Sequence, residues 1–360
     1  MSKDAECGCC KESGSQLNTE REKVEELDFI RTICAIGIIL HHVSCYVSPD
    51  APKLFYTYAN GWFGALFVNI FFIISGGVLY HNYKEIGKLT VFYYKRWKSI
   101  FPMFYITFLF FFIRNVVISN SFFYNGKPWR LLLSIFGLDG YFAYRFPGYY
   151  IVGEWFLGAI VFLYILYPIF LKLIQIMDWK LLLFIVPMVI WQFEINWFLI
   201  HPYHNLIFCS AMFIAGMLIF KYKIYRNVYI KLVGCIVGII DLVMPIPSMG
   251  LYEGFASIPM FFALFALAGV VMQIPVLKAS VAFLSGLSFP MFLIQNKVIE
   301  FLTFYIPVNS YMDLVKIMVL AVLLSILCAW CINILTHEIM RTKCFLCLDK
   351  TIMNSNYRGA

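Results

Sequence analysis

Asp28, Arg31, His41 and His42 stand in or at the edge of a stretch built largely from Phe, Ile, Leu, Val, Ala and Cys. Eleven positions separate Arg31 from His42. At about 100° per residue this is three helical turns plus about 20°, so the two share a face roughly 16 Å apart. His41 points about a quarter-turn away, and Ala35 and Ile38 on the shared stripe leave room for a ligand or another helix. An arginine at one end with an imidazole deeper on the same face suits a long anionic donor. Its phosphates stay at the basic surface while its reactive end reaches a histidine poised as general base near neutral pH. In the alternative reading His42 makes a helix-to-helix hydrogen bond and Arg31 snorkels to the interface, which explains Arg31 but not a histidine so deep in the helix.

Other residues offer chemistry further along. Lys95, Arg96 and Lys98 in Phe92-Tyr-Tyr-Lys-Arg-Trp-Lys-Ser-Ile-Phe-Pro102 form a dense cationic patch. It reads either as charge anchoring a membrane segment or, beside Arg31, as a phosphate site. Residues 120–149 form a long connection with Trp129, Tyr141, Tyr144, Phe146 and Tyr149, followed by Tyr150. These aromatics suit either interfacial anchoring or stacking on an acceptor such as a sugar. Glu154, before Trp155 at the mouth of the fourth apolar stretch, is the better acceptor-site carboxylate, because Glu194, Asp241 and Glu253 fall near helix ends where charge is cheap. His201-Pro-Tyr-His204 has ligand-like spacing without a nearby carboxylate, so a loop end is the expected role. Cys7, Cys9, Cys10, Cys344 and Cys347 could hold zinc as thiolates, but spread over two tails they carry no metal expectation.

The solvent for all of this is a lipid bilayer. Of 360 residues, 62% are hydrophobic and only 13% charged, and 37 are Phe. A soluble domain carries about 25% charged residues. With a mean hydropathy of +0.80, a soluble enzyme, a disordered regulator and a nucleic-acid-binding module are excluded, because too few polar groups remain to solvate a globule or line a phosphate-binding face. Ten stretches approach the roughly 20 apolar residues of a membrane span, at approximately 29–48, 62–80, 101–119, 150–171, 180–199, 205–221, 229–246, 255–273, 280–304 and 314–336. Pro290, Gln295, Asn296 and Lys297 interrupt the ninth. With the first tail inside, twenty of the 28 basic residues fall on cytoplasmic segments and seven outside, which predicts both termini in the cytoplasm. The net charge of +8 then faces anionic headgroups and needs no nucleic acid. Residues 1–26 lack the apolar core of a signal peptide and read as a polar cytoplasmic tail, 27–338 as the transmembrane domain, and 339–360 as a second cytoplasmic tail. Eleven cysteines read as reduced, since Cys34, Cys45, Cys209, Cys235, Cys328 and Cys331 lie in apolar runs where a thiol acts as a small hydrophobe.

Several blocks in order resemble the membrane-bound acyltransferase-3 family. They are Leu27-Asp28-Phe-Ile-Arg31 followed by ten residues and then His42, then Asn69-Ile-Phe-Phe-Ile-Ile-Ser75-Gly76, Tyr93-Tyr-Lys-Arg96 with Ile100-Phe-Pro102, and Trp155-Phe-Leu with Tyr167-Pro168. Phe213-Ile-Ala-Gly216-Met217 and Ser288-Phe-Pro-Met-Phe-Leu-Ile-Gln295 look like its later blocks. The resemblance implies an all-α, ten-helix membrane protein that transfers an acyl group, commonly acetyl, from cytoplasmic acyl-CoA to a hydroxyl of an exported carbohydrate. It selects His42 over His41 as the essential residue, either base or transient acyl carrier. It also matches Arg31 to the family arginine, and Lys95 and Arg96, with Lys98 and Ser75 beside them, to the donor side. Trp129, Glu154 and Trp155 are the expected acceptor residues. Acyl-CoA is a co-substrate, and no bound cofactor or metal is expected. The place is a cell membrane, a bacterial cytoplasmic membrane being the expected one.

Three positions depart from the family pattern: Ser99 replaces a basic residue three before the proline, Ile160 stands where a glutamate is usual, and Gln295 replaces a late histidine. No soluble hydrolase-like domain follows the membrane region, so a partner domain would be a separate chain. The rival class is a transporter or flippase using Arg31 and His42 for substrate binding or proton coupling.

Overall fold

The computed structural model describes residues 23–48, 50–54, 63–146, 148–149, 152–195, 200–243 and 254–354. Residues 1–22 with Cys7, Cys9 and Cys10, as well as Tyr150, Glu253 and residues 355–360, lie outside the described residues. The described residues contain helices and turns and no strand. In chain order the helices are α1 (Glu26–Tyr46), α2 (Phe63–Asn82), α3 (Leu89–Ser119), the short α4 (Leu131–Ile135), α5 (Glu154–Met177) and α6 (Leu182–Ile195). There follow α7 (Leu206–Lys221), α8 (Val228–Val243), α9 (Ser257–Val271), α10 (Pro275–Tyr305), α11 (Tyr311–Met340) and α12 (Lys343–Asn354). Backbone groups satisfied within each helix are what an apolar solvent demands.

Among the described residues, six helical stretches are long and apolar enough to cross a membrane. One of them, Glu154–Ile195, is a hairpin. Its two ends both meet the turn and first residues leading into α7, Trp155 stacking on His204 and Phe193 meeting Tyr203 and Phe208 edge-on. Asp178 at its centre meets Lys221 at the other end of α7, 2.6 Å away. The chain turns there because Asp178 takes a positive φ of 57°, which a continuing helix cannot hold. The 14–16 residues of α6, α7, α8 and α9 span only about 21–24 Å at 1.5 Å per residue. α7 and α9 lie within two residues of the expected spans at each end, and α6 and α8 stop where the described residues stop. Conversely, α10 runs unbroken through Pro290, whose lost hydrogen bond neighbouring helices make tolerable.

The tightest crossing joins α2 to α7. A Cβ on Gly76 would run into the Phe213 carbonyl oxygen, and one on Gly216 into that of Ile73. Backbone touches backbone there, the close approach that small residues permit between membrane helices. Tyr167 of α5, fully buried, donates its hydroxyl proton toward the Leu79 and Tyr83 carbonyls at the end of α2, 3.0 and 2.7 Å away. On the other flank α10 packs between α1 and α11 through Leu287, Met291, Ile294 and Val298. The amphipathic α12 docks on α3, Phe345 stacking on Trp97.

The long connection before α5 is folded on itself. Asn125 donates to the Gly148 carbonyl and the Tyr149 hydroxyl to that of Gly126. Asp139 is buried and accepts from Ser134 at 2.7 Å. Burial pushes its carboxyl up to about 6, against the opposing pull of Ser134 and Arg130.

Two outcomes follow from this packing. Gly76→Ala or Gly216→Ala should destabilise the α2–α7 crossing by about 1–3 kcal/mol, the usual cost of overpacking, read as a lower thermal midpoint in detergent; an unchanged midpoint would mean the helices are not in backbone contact. Because Asp139 has a raised carboxyl, its contribution to holding the connection together is present at low pH and lost as pH rises through about 6. Protease cleavage within residues 120–149 should therefore be faster at pH 7.5 than at pH 5, and Asp139→Asn should flatten the difference.

Candidate functional site

A cavity of about 350 Å³ opens between α1, α2, α3, α5 and α10. Arg31, Ser75 and Arg96 line it together with Tyr164, Ser285 and Ser288, while Ile38, Val68, Phe71, Phe156, Ile160 and Phe292 form its apolar wall. The 3.6-residue period puts Arg31 and Ile38 of α1, and Val68, Phe71 and Ser75 of α2, on facing stripes.

The two guanidinium groups are held differently. Asp28 is buried and takes Lys23 at 2.6 Å and the Ser285 hydroxyl at 2.9 Å, with Arg31 further off at 3.5 Å. Arg31 is thus oriented by the carboxylate without being consumed by it. Arg96 has no carboxylate within reach among the described residues; it donates to the Tyr83 hydroxyl at 3.1 Å and lies over the rings of Tyr83, Phe92 and Tyr164. Rings stabilise a cation while leaving its remaining donors free. Two guanidinium groups converging on one apolar cavity make a site for a phosphate-bearing ligand.

Past the cavity, one turn of α1 beyond Ile38, sits a polar cluster. His42 Nε2 lies 3.2 Å from Glu154 Oε1, and the Asn296 amide donates to the same carboxylate oxygen. Glu154 is buried in the first turn of α5, where the helix N-terminus favours negative charge. Gly153 before it takes φ +82°, and a Cβ there would strike Leu157, so the turn that aims Glu154 inward requires glycine. His42 stands one turn beyond Ile38 on the same face of α1, and Phe156, two residues after Glu154, belongs to the cavity wall. His41 points elsewhere: its Nε2 is 3.6 Å from Cys45 Sγ and its ring covers Gly64. A carboxylate on one ring nitrogen fixes the tautomer and supports positive charge on the imidazole, the arrangement that general-base chemistry uses. Trp155, the next residue, stacks on His204 with ring centroids 3.9 Å apart.

The structure thus gathers Arg31, Ser75 and Arg96 around one cavity and His42, Glu154 and Trp155 beyond its end. Lys95 does not line the cavity. Lys98 turns to α12, pairing with Asp349 at 2.9 Å and lying over Phe345. Trp129 packs against Phe146 and Arg130 in the folded connection and is 45% exposed. Asn296 and His204 were not expected at the site. Asn296 appeared only as an interruption of an apolar stretch, and an amide in such a stretch is itself the signal; His204 stood out only for its spacing from His201, with a loop end as the expected role.

The domain model described as an acyltransferase domain, that of the acyltransferase-3 family, matches residues 24–334. The chain belongs to that family and is a multi-pass membrane acyltransferase. No curated protein and no solved structure matches it significantly.

The geometry separates Arg96 from Lys98. Pyrophosphate, used as a bare anionic probe, should raise the thermal midpoint of the purified protein by mass action, and less so as salt screens the charges. Arg31→Gln and Arg96→Gln should each remove most of that shift. Lys98→Gln should keep it and lower the unliganded midpoint slightly, since a part-exposed pair contributes only about 0.2–1 kcal/mol; loss of the shift in Lys98→Gln would return that lysine to the anion site.

Proposed function

We propose that the protein moves an acyl group, acetyl foremost, from cytoplasmic acyl-CoA to a hydroxyl of an exported carbohydrate, with no bound cofactor. The observation that carries this reading is the cavity itself. Its guanidinium end and its apolar wall lead to within one helical turn of a carboxylate-held histidine. In this reading Arg31 and Arg96 hold the phosphates of the donor, Ser75 lies along its arm, and the thioester reaches His42.

The acceptor hydroxyl arrives from the opposite side, past Trp155. His42 takes its proton, the oxygen attacks the thioester carbonyl, and the carbon–sulfur bond breaks. The thiolate leaves with the proton that His42 carried. Glu154 supports the imidazolium in between and stands where the acceptor enters. A variant of the same chemistry has His42 carry the acyl group transiently. Threading through a cell membrane follows the charge bias: ten crossings with both termini in the cytoplasm, two of them the arms of the hairpin at Asp178.

Thiol release from acetyl-CoA by the detergent-purified protein, in the presence of hexose and N-acetylhexosamine oligosaccharides, tests the reading. His42→Ala should abolish turnover. Glu154→Gln should slow it by about 10²-fold or more, in the range for loss of positioned acid–base catalysis, and His41→Ala should largely spare it. Equal loss in the two histidine variants, or none in either, would remove His42 from its role.

A further inference from the structure

Gln295 is the buried amide that the chemistry above leaves unused. It is 1% exposed, and neither its Oε1 nor its Nε2 has a hydrogen-bond partner. Each of the other buried amides among the described residues has a bond: Asn69 to the Gly254 carbonyl, Gln192 to that of Pro202, and Asn205 as the cap of α7; Asn69 Oδ1 and Gln192 Oε1 lack partners, but Gln295 lacks one at both atoms. A buried amide without partners destabilises a fold, because both its groups have lost water and gained nothing. Such a group is accounted for when a ligand completes it.

Its position says which ligand. Seven residues, two turns less about 20°, separate Gln295 from Ser288, which lines the cavity, and Phe292 one turn nearer belongs to the cavity wall. Asn296, the next residue, holds Glu154, and Glu154 holds His42. Gln295 therefore stands at the height of His42, just past the point where the apolar wall ends. Around α10 it lies about 20° from Ser288 on the cavity side and about 40° from Met291 on the other, where α10 packs against α1.

We infer that the Gln295 amide N–H binds the acyl carbonyl oxygen and stabilises the oxyanion formed when the acceptor hydroxyl attacks. This rests on the reaction proposed above. In the step, the acceptor oxygen bonds to the carbonyl carbon and its proton passes to His42. Negative charge collects on the carbonyl oxygen, within the Gln295 hydrogen bond. As the carbonyl re-forms, the carbon–sulfur bond breaks and the proton goes from His42 to the thiolate. A fixed donor in a dry site lowers this barrier without having to reorganise.

The test uses the full-length protein in detergent, with acetyl-CoA as donor and the same oligosaccharides as acceptors. Gln295→Leu keeps the volume and removes the donor. Its kcat should fall by about 10²–10³, the usual effect of losing one oxyanion donor, while the acetyl-CoA KM stays within about threefold and the thermal midpoint does not drop. Gln295→His, which restores an N–H at similar reach, should recover most of the rate. A kcat within threefold of wild type in Gln295→Leu overturns the inference. So does a fall in midpoint that Gln295→His shares, which would make the residue structural. If His42→Ala abolishes turnover while Gln295→Leu spares it, the reaction stands and only the oxyanion role is lost; a wild type inert toward acetyl-CoA overturns both.

Discussion

A carboxylate and an imidazole 3.2 Å apart inside a bundle of apolar helices are what the rest of the structure must make possible. Either group alone would be an uncompensated polar side chain far from water, and removal of one partner of such a pair is strongly destabilising or forces neutralisation of the other. The pair is joined by Asn296, 142 positions from Glu154. Three helices, α1, α5 and α10, must therefore hold their relative height and rotation. The backbone contact of α2 with α7 and the Tyr167 bonds to the end of α2 set that frame. These stiff elements carry no chemistry of their own.

Along α1 the molecule separates charge from chemistry. Arg31 and Arg96 sit at one end of the cavity and the carboxylate-held histidine lies beyond the other, with Ile38, Phe71, Phe156 and Phe292 between. Electrostatic forces are stronger in that low-dielectric interval than in water, so a cation near the histidine would disturb its proton affinity. Guanidinium suits the binding end better than ammonium, because a planar group stacks on Tyr83, Phe92 and Tyr164 and keeps directed donors for an anion. Lys98, two residues from Arg96, illustrates the contrast: a point charge on a flexible stem, it is taken up by Asp349 of α12.

Helical periodicity made the shared face of Arg31 and His42 legible in the sequence, because both residues lie on one element. It could not reveal that Glu154 faces His42 or that Asp349 faces Lys98, since those pairs join elements far apart in the chain. Glu154 was expected as an acceptor-site carboxylate at a helix mouth, and Gly153 with its positive φ turns it inward onto His42. The blocks around Gly76 and Gly216 were recognisable as motifs, and what they encode is a helix crossing. Hydropathy did place the break between the fourth and fifth stretches, at residues 172–179, where the structure turns at Asp178. The expected fourth and fifth spans, 150–171 and 180–199, correspond to the two arms of the hairpin, α5 and α6.

On the proposed reaction, a thioester in a wet site would hydrolyse, so the protein has to admit the acyl end of its donor while keeping water from the carboxylate-held histidine. Phe156 lies at the junction. Its ring meets Phe292 at 5.1 Å, Phe72 at 5.0 Å and Phe71 at 6.0 Å between centroids. Such a ring cluster offers no hydrogen bond to water, and a narrow apolar arm displaces it at less cost than a hydrated ion would. An ion-coupled transporter needs the reverse, a continuous polar path joining its charged residues. The interval between Arg31 and His42 is lined instead mostly by aliphatic and aromatic side chains, broken by serine hydroxyls such as Ser75 and Ser288 rather than by charges. On the proposed threading, that interval is what allows the two substrates to approach from opposite sides and meet at one histidine without opening a leak between the compartments.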